Sequence, residues 1–273
     1  MSSPRRILAL LAALCLWAGG AAAQSSGLTR LTDRDDLFGW EAIGRVDIGR
    51  EGYCTGVLIA PDQVLTAAHC VFDRSGRPVA ADTIRFRAGL RDGKAIAESG
   101  VMGYVAAEGY DPRGGMSAAN IRNDAALLRL ATPINSAVAA PFAIHDRPRD
   151  GAQISVVSYG RDRDSAPSWQ RRCNMLWRAE GIMAFDCDVI FGSSGAPVLA
   201  PHGGRPRILS LVSGGSRVEG KRLSYGMDLP DLVTGLKRDL RAATAGMATA
   251  NPGFKRVQAG EGRRGTGARF ARP

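Results

Sequence analysis

The sequence holds only three histidines, and one of them stands where a base could serve. His69 follows Leu65-Thr66-Ala67-Ala68, an apolar strand end, and precedes Cys70, a residue able to pin the turn. His145 and His202 lie beside Asp146 and within Pro201-His202-Gly203-Gly204, which is loop chemistry. A second segment, Gly192-Ser193-Ser194-Gly195-Ala196-Pro197, sets glycines on both sides of a serine pair. Such glycines permit a tight turn that pushes a hydroxyl outward and turns backbone N–H groups to one side. A hydroxyl is a weak nucleophile at neutral pH; it needs a base, a group that orients the base, and donors for a developing oxyanion. Asp124, in Asn123-Asp124-Ala125-Ala126-Leu127-Leu128 ahead of an apolar strand, offers the orienting carboxylate. Each segment alone also reads as an ordinary feature, a Gly/Ser turn or a turn carboxylate capping Asn123.

Their joint order is far more specific. With Thr66 to Cys70, Asn123 to Leu128 and Gly192 to Pro197 in that sequence, the chain resembles the trypsin-like peptidases. Cys54-Thr55-Gly56-Val57-Leu58-Ile59, Gly151 to Gly160 and Val212-Ser213-Gly214-Gly215 extend the resemblance over roughly Ile43 to Leu229. It implies Ser194 as nucleophile, His69 as general base and Asp124 as the group that fixes the imidazole tautomer. It further implies an oxyanion hole from the N–H groups of Gly192 and Ser194, Ser213 supporting the aspartate, and Ser213 to Gly215 pairing with the substrate main chain. Cys54 and Cys70 match the family bridge that fixes the histidine turn. The order His, Asp, Ser differs from that of subtilisins and α/β-hydrolases, and Ala196 stands where an α/β-hydrolase needs glycine. A catalytically silent binding protein on the same body is the alternative from another class.

The chain departs from trypsin at two places. Ser193 stands directly before the nucleophile where trypsin has an aspartate that pairs with a new N-terminal amine, and no Ile-Val-Gly-Gly-like start precedes Cys54. In this it is closer to the glutamyl endopeptidase branch, and a different or absent activation step is expected. Asp188, six residues before Ser194, matches the pocket floor that selects Arg or Lys, with Gly215 and Gly226 leaving space. Cys187 lies seven residues before Ser194 where trypsin has its cysteine four before, so the pocket wall is built differently, and preference for Glu or apolar residues stays open.

The elements that must position these residues read as all-β. Gly and Pro punctuate strand-length apolar runs at Cys54–Ala60, Ala125–Leu130, Ile154–Tyr159 and Ile208–Val212. By the resemblance these build two six-stranded antiparallel β-barrels of chymotrypsin type with the active site between them, at about residues 41–132 and 141–230 of a domain spanning 41–245. Thr132 to Pro141 is the expected linker, and Leu229 to Arg241, with apolar Leu232, Val233, Leu236 and Leu240 on one face, a C-terminal helix. The stretch Arg161 to Arg172 reads as a loop able to reach over the site.

Residues 1–23 carry Arg5 and Arg6, an apolar run Ile7–Trp17 and Ala21-Ala22-Ala23, the pattern of a cleaved export signal. That run is too short to span a bilayer, which takes about 20 residues, and no transmembrane segment is expected. A secreted or periplasmic protein follows, with residues 24–40 as propeptide or N-terminal arm. Four cysteines remain, Cys54, Cys70, Cys173 and Cys187, an even number that favours disulfides over metal ligation. Pairing in sequence order gives Cys54–Cys70 and Cys173–Cys187, other connectivities being open on spacing alone. No cofactor, no metal and no specific nucleic acid are expected, and the partner is a polypeptide substrate. Net charge is +10, of which six basic residues against Glu261 place +5 beyond residue 250. That segment has almost no large apolar groups, Phe254 and Phe270 being the aromatic ones, and reads, from residue 246 on, as a flexible basic tail able to touch anionic surfaces.

Overall fold

In the computed structural model, residues 27–145, 151–218 and 220–250 are described. The segment 1–23, read from sequence as an export signal, and the basic stretch beyond residue 250 lie outside the described residues.

The chain opens with a short strand β1 (Leu28–Arg30) and then enters the first unit. Its strands are β2 (Ile43–Ile48), β3 (Gly52–Ala60), β4 (Gln63–Thr66), β5 (Ile84–Ala88), β6 (Ala97–Ala106) and β7 (Ala126–Leu130), with a one-and-a-half-turn helix α1 (Ala118–Asn123) before β7. These six strands close into an antiparallel barrel in the order β2-β3-β4-β7-β6-β5. Val46 and Phe86 lie opposite each other on one face of the barrel wall, Val57, Leu65 and Leu127 lie in register on the other, and all five are fully buried, so the wall is covered on both sides. Thr66 at the end of β4 lies opposite Ala126 at the start of β7. The residues leaving β4 toward His69 and those entering β7 from Asp124 therefore emerge at the same end of the barrel.

The second unit comprises β8 (Gln153–Gly160), β9 (Arg163–Ala179), β10 (Ile182–Phe185), β11 (Pro197–Ala200), β12 (Arg207–Leu211), β13 (Gly214–Val218) and β14 (Lys221–Met227). Their order is β12-β11-β8-β9-β10-β14-β13, with β1 added on β9. The all-β, two-unit expectation holds, but the second unit is a half-barrel, in contrast to the closed first one. Only Val212 and Ser213 separate β12 from β13, which lie at opposite ends of the hydrogen-bonded path, so the sheet curls to bring its ends together without joining them.

Two expectations are corrected here. Arg161 to Arg172 is not a covering loop: a tight turn leads into β9, which pairs with β8, β10 and β1. One face of β9 meets solvent through Arg171, Arg172 and Asn174, so the continuous apolar run that marks a strand is missing. The C-terminal helix α2 (Pro230–Ala250) continues past both Arg241 and residue 246, since five of the nine residues after Arg241 are alanine, the best helix former, and they carry the helix over Gly246. Its face of Val233, Leu236 and Leu240 packs on β6 and β7 of the first unit.

One core cluster joins barrel residues such as Leu58 and Leu128 to Val157, Leu199 and Leu211 of the second unit and to α2. A smaller cluster around Phe185, Val198 and Leu209 fills the half-barrel. Disulfides join Cys54 to Cys70 and Cys173 to Cys187, each within one unit. The chain between the units, from Thr132, runs along the first barrel and buries Ile134, Ala139 and Phe142.

Candidate active site

The histidine turn is built by β4 ending at Thr66. Ala67 and Ala68 are fully buried, a single 3₁₀ turn spans Ala68–Val71, and the Cys54–Cys70 bridge ties that turn back to β3. The His69 main-chain N–H donates to Asp124 Oδ1 at 2.9 Å and its Nδ1 lies 2.8 Å from Asp124 Oδ2. Asp124 is almost wholly buried where α1 ends, and the Ser213 hydroxyl donates to the same Oδ2 at 2.5 Å. An ionised carboxylate only accepts, so Nδ1 carries the proton and Nε2 is left as the acceptor. Burial works against a charged His69 ring, but the charge of Asp124 and its hydrogen bond outweigh that penalty and hold the pKa above that of an ordinary histidine.

Ser194 comes from the turn between β10 and β11, where Gly192 and Gly195 adopt φ of +90° and +76°. A Cβ on Gly195 would lie 2.4 Å from the Thr55 carbonyl oxygen and 2.7 Å from the Ala67 nitrogen, so only glycine lets the turn reach the strand end that carries His69. The Thr55 N–H donates to the Ser194 carbonyl at 2.8 Å and the Gly195 N–H to Val212 at 2.8 Å, directly before Ser213. His69, Asp124, Ser194 and Ser213 are thus held together by a bonded set that bridges the two units.

The N–H directions follow from peptide planarity. The Phe191 carbonyl accepts from the Arg161 N–H at 2.7 Å and the Ser193 carbonyl from the Ala196 N–H at 2.9 Å. In a trans peptide the N–H points opposite to the C=O, so the Gly192 and Ser194 N–H groups point away from those two anchors. The Thr55 hydroxyl donates to the Gly192 carbonyl at 2.8 Å, which fixes the next peptide as well.

A cavity of about 590 Å³ opens beside Ser194, walled by Cys187, Val189, Ile190, Val212 and Leu223 and flanked by Arg217 and Arg222. Gly215 also lines it, and a Cβ there would come within 3.0 Å of Val189 and the Leu223 carbonyl, so glycine preserves its width. Asp188 is not among the lining residues. Its carboxylate is ion-paired with Arg222, and its N–H donates to Gln170 at 2.7 Å. Gly226 is not there either: it is packed against the Leu211 carbonyl and Phe185 inside the sheet. A second cavity of about 250 Å³ is lined by His69, Tyr110, Asp124 and Ser213. Met116 borders both cavities, and its sulfur occupies the space that a side chain on Gly214 would need. β13 is a terminal strand of its sheet, paired only with β14 among the described residues.

Sequence reasoning missed Thr55, Met116, Arg163 and Arg222. Thr55 sits beside Cys54, but its partner Gly192 is 137 positions away, and only the fold reveals that contact. The even cysteine count and the local loops were the usable signals for the two bridges.

Among known proteins, the family model for a trypsin-like peptidase domain matches residues 54–206. A glutamyl endopeptidase of Bacillus licheniformis is 26% identical over 155 residues, covering 56% of this chain and 47% of that protein. The human protein named Serine protease 56 is 28% identical over 132 residues, covering 47% of this chain and 20% of that protein. The match spans about half the length of these curated relatives, or less. Among solved structures, a Glu endopeptidase in complex with MPD superposes with a TM-score of 0.65 at 20% identity, covering 81% of this chain and 98% of that one. A thermostable serine protease, AL20, from an extremophilic microorganism gives 0.59 at 19% identity, over 72% and 94%. Both structural likenesses speak to the fold.

Proposed function

The chain belongs to the trypsin-like peptidase family, and from that premise we propose that it is an exported serine endopeptidase working through an acyl-enzyme. The observation that carries the reading is the hydrogen-bonded line Ser213–Asp124–His69 tied by main-chain bonds to Ser194 at the mouth of a cavity. Ser194 Oγ attacks the scissile carbonyl while His69 Nε2 takes its proton, and the oxyanion forms against the Gly192 and Ser194 N–H groups. Collapse breaks the C–N bond, and the leaving amine takes the proton from His69. Water, deprotonated by the same nitrogen, then attacks the ester and returns Ser194 to its free form. Asp124 stays ionised throughout and holds the ring. The free edge of β13 would receive the substrate main chain as an added strand.

For the side chain before the scissile bond, an acidic residue fits better than a basic one. Asp188 is spent on Arg222, none of the described residues lining the cavity is acidic, and two guanidinium groups flank it. A guanidinium has five donors, so Arg222 can keep Asp188 and still donate to a substrate carboxylate. That the similar Bacillus licheniformis protein is a glutamyl endopeptidase supports this preference. Two disulfides favour an oxidising compartment, which supports export. The peptidase domain is taken as starting at residue 41 and running to the end of α2 at Ala250, with the preceding segment as a retained arm.

Treatment with a fluorophosphonate should label the wild type at one serine and leave Ser194→Ala unlabelled; a folded wild type that takes no label would leave a binding protein on this fold. On a peptide panel, cleavage after Glu or Asp should exceed cleavage after Arg, and Arg222→Leu should lower kcat/KM for the acidic peptides. Cleavage confined to Arg and Lys would overturn the acidic preference.

A further inference from the structure

Ser193, the residue before Ser194, has its side chain turned inward and fully buried. Its hydroxyl meets three groups: the Ser158 hydroxyl at 3.1 Å, the Ile190 N–H at 3.3 Å and Nη2 of Arg163 at 3.2 Å. Arg163 reaches this point from the first position of β9, donating also to the Ser158 carbonyl at 2.9 Å and the Ser158 hydroxyl at 3.2 Å. Gly160 makes room for it, since a Cβ there would lie 2.6 Å from the guanidinium carbon and 2.7 Å from Ile190.

All of these acceptors are neutral. Withdrawal from water works against the charge on Arg163, and the negative group that chiefly offsets it is Asp188, already paired with Arg222. A cation held on neutral oxygens is a poor device for stability alone. Its position is informative: the guanidinium bonds the hydroxyl of the residue whose peptide carries the Ser194 N–H, and Ser193 also spans back to Ile190 through its own N–H at 2.9 Å. The bond therefore closes the turn Ile190 to Ser194 from its buried side.

We infer that Arg163 is a positioning residue that, with Ser158 and Ser193, holds the Gly192–Ser194 turn in its anion-receiving shape by an interaction internal to the second unit. The inference rests on the serine peptidase reading above. It makes the shape of the turn a property of the folded half-barrel, formed by a side chain where a released chain terminus is not required.

The full chain, its Arg163→Met and Arg163→Lys variants and Ser193→Ala supply the test. With a peptide substrate, Arg163→Met should lose about 10²-fold in kcat, the scale of one oxyanion donor, with KM changed less than about threefold. Affinity for a peptidyl boronate, which forms a tetrahedral anion on Ser194, should fall by a similar factor, while affinity of the same peptide as a product carboxylate stays within about threefold. Arg163→Lys should recover part of the kcat. A folded Arg163→Met with wild-type kcat and wild-type boronate affinity overturns the inference, as does an equal loss for boronate and product, which would mean a general loosening of the site. If Arg163→Met does not fold, Ser193→Ala carries the test: a kcat loss of tenfold or more at steady KM supports the role and an unchanged kcat overturns it. Wild-type protein that neither cleaves peptide nor takes a fluorophosphonate marks failure of the peptidase reading itself, before Arg163 is put to the question.

Discussion

At the residue scale, the His69–Asp124 contact sets opposite demands on activity and stability. The proposed base must be neutral, so kcat/KM should rise with pH through the His69 pKa, and the acid limb of the profile should lie above an ordinary histidine's value. Because that pKa is raised on folding, protonated His69 contributes stability that is fully present below the unfolded value and is lost as pH climbs through the folded one. Asp124→Asn should drop kcat by about 10⁴-fold, as in the well-studied serine peptidase triad. It should also move the acid limb downward, since burial alone would then act on the ring; a steady-state pH–rate series on both proteins checks the two claims together. His69, Asp124 and Ser194 were legible because each is embedded in a short local string with glycine, cysteine or an apolar strand beside it. Arg163 carried no such mark, and the string around Thr55, Cys54-Thr55-Gly56, pointed to the bridge and not to Gly192. A threonine in a strand and an arginine after a turn are common, and their partners, 137 and 30 positions away, adjoin only after folding.

At the element scale, β1 and the segment after it are part of the body. β1 pairs with Ser168 to Gln170 of β9, Leu31 and Leu37 are almost fully buried, and Trp40 packs on Trp169 with ring centres 4.9 Å apart. Leu37→Ala should cost about 2–5 kcal/mol, read as a lower urea midpoint at unchanged slope. Cleavage after Trp40 should lower the melting temperature as well, which a propeptide awaiting removal would not do. Apolar runs revealed β3, β7, β8 and β12 to within a few residues because those strands are covered on both faces or nearly so. They failed for β9, half of whose side chains face water, and for the far end of α2, where alanine gives propensity without an apolar stripe. The pocket floor failed for another reason: Asp188 was placed by counting back from Ser194, and counting cannot register that Arg222 from β14 arrives to claim it.

At the scale of the whole molecule, the two units share one large core, and neither disulfide crosses between them. Calorimetry should accordingly show one cooperative transition, with equal calorimetric and van't Hoff enthalpies, in place of two. Replacing either cysteine pair by serine should cost about 3 kcal/mol for loops of this length, lowering the single transition without splitting it. Loss of Cys54–Cys70 should also weaken fluorophosphonate labelling, because that bridge anchors the histidine turn. Met116 gives the assembled cleft a finite working life. Its half-exposed thioether rests on Gly214 between both cavities, and the surroundings that keep cysteines paired also supply oxidants. Conversion to the sulfoxide would put a polar, bulkier group over β13, the strand proposed to pair with substrate, so brief peroxide treatment should raise KM several-fold while Met116→Leu resists it. The protein would then wear out first at the proposed substrate groove, while still folded and still able to accept a small covalent label at Ser194.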